Sequence, residues 1–103
     1  MCKICEDNYN GICRLSISKC NNLTDLKNID NMELLLSLFI IDCPNLNDLS
    51  KLRNVNGLYD LGIVNCPNIT EIPDIEGLKI LIISNCPNLV KVPNKPGLNI
   101  IYR

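Results

Sequence analysis

The sequence predicts a solenoid of stacked repeats, each donating one short parallel β-strand and returning through turns. Three observations carry that prediction. Segments starting at residues 11, 34, 57, 77 and 97 align with one another at spacings of 23, 23, 20 and 20 residues, and self-similarity in this range of periods is the mark of a stacked coil. Apolar columns recur at fixed offsets from one cysteine in each repeat. Proline in the second half of the shorter repeats leaves too little chain for an α-helix.

Residues 1–10 are expected to fold over the first strand as a cap, with Ile4 or Cys5 packed on the open end of the core, and residues 11–103 to form one solenoid domain. With Cys20, Cys43, Cys66 and Cys86 as reference, the position eight before holds Ile12, Leu35, Leu58 and Leu78. Five before come Leu15, Leu38, Leu61 and Leu81, and three before are Ile17, Ile40, Ile63 and Ile83. Three after are Leu23, Leu46, Ile69 and Leu89, and six after are Leu26, Leu49, Ile72 and Val92. The triplet around the positions five and three before alternates in and out, as a strand does. Pro44, Pro67 and Pro87 follow the cysteine directly, where a residue with no N–H ends the ladder. Asn22, Asn45, Asn68 and Asn88 stand two past each cysteine, placed to bond backbone groups left free where the chain leaves the sheet. The second half of each repeat should hold turns or a short 3₁₀ segment. No repeat buries its apolar face alone, so neighbours must stack, each sequestering side chains worth roughly 1.5–3 kcal/mol apiece before chain entropy.

These columns, ending in C-x-x-L, resemble the leucine-rich-repeat family in its cysteine-type variant across residues 11–103. The resemblance implies an α/β-type, right-handed coil with a parallel sheet on the concave side and turns or 3₁₀ segments on the convex side. Ile72-Pro73 and Val92-Pro93 depart from the helix-bearing subfamilies. Because the family spans receptors, inhibitors and scaffolds, the resemblance specifies fold far more than function. Short repeat proteins rich in Asn and Ile are also similar to ones encoded by large DNA viruses.

On such a sheet the candidate protein-binding residues are the outward ones: Phe39, Ile41, Asp60, Val64, Ile80 and Ile82, with Ile100 and Tyr102 from the fifth strand. A sheet face that meets only water should be polar. Here Arg14, Ser16 and Ser18 make it polar in the first repeat, and later repeats are largely apolar, with Gly62 read as a shallow hole in the strip. Contiguous apolar strips are seldom left uncovered; against this, β-propensity favours Ile and Val in any strand. Lys19, Asp42, Asn65 and Asn85, one before each cysteine, would form a polar rim. The fifth strand, ending near Arg103, is expected to leave a bare edge open to pairing or homo-oligomer formation.

Other classes are disfavoured. Lys and Arg number 10 against 11 Asp and Glu, so no basic excess tracks nucleic acid. No apolar run is long enough to span a bilayer and no export signal opens the chain, so a cytoplasmic protein, or one within a virus particle, is expected. The triplets Asn22-Leu23-Thr24 and Asn68-Ile69-Thr70 match glycosylation acceptors but overlap the asparagine column. With no histidine and no carboxylates at a repeated inward spacing, catalysis and a cofactor are not expected. Cys2, Cys5 and Cys13 stand outside the cysteine column. They offer three thiolates where structural zinc wants four ligands, so Cys20 would have to leave the core. The column cysteines are expected as reduced, packed thiols, since side chains on adjacent coils point the same way. The leading expectation is a non-catalytic module that binds another protein on the concave sheet. The alternative is a small structural or cementing subunit of a larger assembly.

Overall fold

The computed structural model describes residues 7–9, 12–26, 35–55 and 57–103. It is a parallel β-solenoid with almost no helix. Strands β1 (Asp7–Tyr9), β2 (Ile12–Ser18), β3 (Leu35–Ile41), β4 (Asp60–Val64), β5 (Ile80–Ser84) and β6 (Asn99–Tyr102) lie side by side in sequence order. From β2 to β6 every neighbour pair is parallel, whereas β1 runs antiparallel to β2 and covers that edge of the sheet. The expected packing of Ile4 or Cys5 falls outside the described residues.

The inward columns fill the coil. Leu35, Leu38, Ile40, Leu58, Leu61, Ile63 and Leu81 are wholly buried, and so are Leu46 and Ile69 in the turns beyond the cysteines. A further inward column, nine after the cysteine, holds Leu52 and Ile75, both at 0 % exposure. In the coil that follows β5 the same position is Lys95. Its ammonium donates to the Ile75 carbonyl at 2.6 Å and pairs with Asp74 at 3.0 Å. The half-buried lysine thus takes a place in an otherwise apolar column with its charge satisfied at the rim.

Repeat length decides how the chain returns. The 23-residue coil that follows β3 has room for a 3₁₀ turn, Ser50–Asn54, which buries Leu52. Asp48 starts it by accepting a hydrogen bond from the Ser50 N–H at 2.9 Å, an Asx-turn contact. Hydrogen bonding from the Ser50 side chain, and then from this N–H, holds the Asp48 carboxyl below its ordinary pKa. The 20-residue coils return through extended segments and turns at Gly77 and Gly97, whose φ angles of 88° and 85° suit a residue without a Cβ. On this return side, bridges Asp25–Asp48 and Glu71–Lys91 add isolated parallel pairing between coils.

Two polar ladders hold the strand exits in register. The amides of Asn45, Asn68 and Asn88 donate to the carbonyls of Asn21, Pro44 and Pro67 at 2.6–2.8 Å, the role expected for that column. Lys19, Asp42, Asn65 and Asn85 are all left-handed, with φ of 53–58°. This conformation favours Asn and Asp, and it turns each strand off the sheet. The Asn85 amide donates to Asn65 at 2.9 Å, and the Asn65 amide to Asp42 at 2.8 Å. Within the expected rim, the Asn65 and Asn85 amides are therefore bonded to their rim neighbours.

The cysteine column is buried at Cys20, Cys43 and Cys66 and half-buried at Cys86. Cys43, Cys66 and Cys86 are free, as expected for stacked thiols. Each donates weakly to the carbonyl two residues before it, at 3.3–3.5 Å. Burial pushes the Cys66 thiol up to about 11. Cys20 corrects the expectation of a wholly reduced column, since it is disulfide-bonded. Cys20 keeps its place in the core and is not a free thiolate, so it does not complete the four-ligand zinc set. Cys2 and Cys5 lie outside the described residues.

Candidate functional site

The outer face of the sheet is built from three rows, because in-register parallel strands put facing residues on one side. The first row is Arg14, Ser37, Asp60, Ile80 and Asn99. The second is Ser16, Phe39, Gly62, Ile82 and Ile101, and the third is Ser18, Ile41, Val64 and Ser84. Phe39, Ile41, Asp60, Val64, Ile80 and Ile82 thus stand where the sequence placed them. All six are half-buried. Every described strand contacts only its sheet neighbours, so no other described strand lies over this face.

The fifth strand needs correction. Ile100 pairs with Leu81 and Tyr102 with Ile83, so both follow the inward columns and leave the outer face. Ile100 packs against the core. Tyr102, 67 % exposed, stands at its open end, because no described strand follows β6. Asn99 and Ile101 take the outward places. Extending the 20-residue period from Gly97 missed this, because β6 pairs 19 residues after β5 and a slip of one residue exchanges the faces of a strand. Ile101 replaces both misplaced residues in the apolar strip, and its only sequence signal was a shift that no turn motif marks.

The supposed hole at Gly62 is filled. Gly62 is buried on the outer face, and a Cβ built there would clash with two carbons of the Phe39 ring. Glycine is required because the facing aromatic on β3 lies down over it, a close approach only a residue without a side chain permits. Phe39 therefore presents the flat of its ring as part of the face. The strip comprises Phe39, Ile41, Val64, Ile80, Ile82 and Ile101, with serines beside it on β2 and at Ser84.

At the entrance of the strands the surface changes character. Arg14, Leu36, Ser37, Tyr59 and Asp60 line an open depression of about 550 Å³. Arg14 is exposed and Tyr59 is 48 % exposed. One carboxylate oxygen of Asp60 is shielded from solvent and has no hydrogen-bond partner among the described residues. Such an orphaned acceptor costs about 1–3 kcal/mol, more when charged. A second groove of about 540 Å³ runs along the strand exits between the two ladders, lined by Lys19, Asn21, Asp42, Pro44, Asn65, Pro67, Asn85 and Pro87.

Among the described residues no helix is long and apolar enough to cross a membrane, and no group of three or more His, Cys, Asp or Glu is arranged to hold a metal ion. The chain matches no protein-family model, no curated protein and no solved structure.

Proposed function

We propose that the chain is a non-catalytic module of the leucine-rich-repeat type that binds another protein across the outer face of its parallel sheet, taken as the concave side. The observation that carries this reading is the apolar strip from Phe39 to Ile101, which the described strands leave uncovered. Parallel sheets are ordinarily covered on both faces, and apolar patches on soluble proteins mark interaction sites. Side chains held in register by two polar ladders form a preformed surface, which lowers the ordering cost of association. The residues proposed to meet the partner are Phe39, Ile41, Val64, Ile80, Ile82 and Ile101, with Asp60 at the polar margin. Cytoplasmic placement goes with this proposal, and a lasting disulfide at Cys20 would count against it, since reducing compartments keep thiols reduced.

The test uses a photo-crosslinking side chain placed at Ile41 or, on the return side, at Thr70 in the chain expressed in its natural cells. The proposal expects one protein to be captured from position 41, lost with Ile82→Asp, and not captured from position 70. Equal capture from both positions overturns it.

A second reading is favoured by β6, which lies at the edge of the described sheet and ends in the exposed Tyr102. On that reading the chain is a cementing subunit of a larger assembly, such as a virus particle, joined through the edge. Light scattering across a concentration series separates the two. A monomer supports the recruiting module, and assembly abolished by Tyr102→Asp supports the subunit.

A further inference from the structure

We propose that Asn22 is a site of N-linked glycosylation and that Asn68, in the second matching triplet, is not. This goes beyond the protein-binding reading, whose residues lie on the strands, and it sets an oxidising compartment against the cytoplasmic placement. Asn22-Leu23-Thr24 and Asn68-Ile69-Thr70 both carry the acceptor pattern, and all four of their polar residues are exposed. The asparagine column separates them. Asn45, Asn68 and Asn88 each turn an amide to a carbonyl of the preceding coil, and the Asn68 amide meets Pro44 at 2.8 Å. Asn22 heads the column, and among the described residues its side chain forms no hydrogen bond. Leu23, the middle residue of the first triplet, is half-buried, whereas Ile69 is wholly buried. The first acceptor is thus a free amide on a loosely packed turn, and the second is part of the ladder.

An independent observation lies close by in the chain, where Cys20 is disulfide-bonded. Disulfides persist in oxidising compartments and are rare in the cytosol, and asparagine acceptors of this pattern are used on surface loops of secreted proteins. In the transfer, the Asn22 amide nitrogen attacks the anomeric carbon of an oligosaccharide carried on a lipid pyrophosphate. A nitrogen–carbon bond forms, the carbon–oxygen bond to the pyrophosphate breaks, and the lipid pyrophosphate leaves as the amide loses one proton. A glycan is bulky and stays at the surface, so a chain that receives one before folding must fold around it. At Asn22 the sugar projects from an exposed turn and disturbs no bond. At Asn68 it grows from the nitrogen that ties one coil to the next.

The experiment is mass spectrometry of the chain recovered from its natural cells. The protein is alkylated before reduction, digested, and treated in heavy-oxygen water with a glycosidase that leaves a labelled aspartate where a glycan-bearing asparagine stood. The label is expected at position 22 in most molecules and not at position 68, with Cys20 protected from alkylation until it is reduced. Thr24→Ala should abolish the modification and Thr24→Ser should keep it. Asn22→Gln should also abolish it and leave the denaturant midpoint of the glycan-free chain unchanged, because the Asn22 amide holds no bond in the ladder. The native chain decides the matter even where a variant folds poorly. An unmodified Asn22 overturns the proposal whether Cys20 is oxidised or free, and so does a glycan on Asn68 at equal or greater occupancy. None of these outcomes depends on a protein partner, so failure here and failure of the protein-binding reading are separately visible.

Discussion

The coil through Cys66 and the coil through Cys86 carry nearly the same residues in the same order, yet they are buried differently. Ile69 is wholly buried whereas Leu89, its equivalent, is half-buried; Cys66 is buried and Cys86 is not. Nine past the cysteine, buried Ile75 is answered by Lys95. The difference teaches that a repeat does not bury itself: each coil is covered by its neighbour, and among the described residues only the coil through Cys66 has a full coil on both sides. In the other coil the Lys95 amine bonds the Ile75 backbone carbonyl of the preceding coil, so its charge is satisfied at the rim.

The sharpest way to break this comparison is to truncate equivalent side chains in both coils. Ile69→Ala should cost about 2–5 kcal/mol in denaturant unfolding, and Leu89→Ala less than half as much, since only the first leaves a closed cavity. Equal losses would mean that the last coil is covered after all. Gly62→Ala should cost about 1–3 kcal/mol by evicting the Phe39 ring, and Phe39→Ala in the same chain should recover most of it. Ile82→Ala, at the same position one coil later, should change stability little.

The thiols sharpen the comparison through pH. The Cys66 pKa is raised from 9.0 to about 11, so between these values the unfolded chain gives up a proton that the folded chain keeps. Unfolding is thereby favoured as pH rises. The stability present below pH 9 should fall by about 2 kcal/mol by pH 11, and Cys66→Ala should remove that part of the slope. A smaller loss is expected at the asparagine ladder, where Asn68→Ala should cost about 1 kcal/mol through loss of one exposed amide bond to Pro44.

Most of the coil was legible because its signals are local and repeated. Leu61, Ile63, Ile69 and Cys66 recur at fixed offsets and face one core, and the proline and asparagine after each cysteine mark where the strand stops. The column of Leu52 and Ile75 escaped, since the 23- and 20-residue repeats differ in just that stretch and Lys95 breaks it. On the outer face, Phe39, Ile41, Val64, Ile80 and Ile82 were readable from period two alone. Ile101 was not, because the register of β6 against β5 is a pairing decision between strands. Nor was the Phe39 ring over Gly62, which depends on two coils meeting.

By itself, then, the sequence determined that the chain coils, which strand residues face inward between Leu15 and Ile83, and where each strand ends. Those properties follow from side-chain size, periodicity and backbone restriction within one repeat. Only the tertiary structure decided which way β6 faces, that Gly62 lies under an aromatic ring, that the rim amides bond one another, and that an Asp60 oxygen is left without a donor. Each of these is a relation between neighbouring coils, fixed by strand register and close packing, and no single repeat contains it.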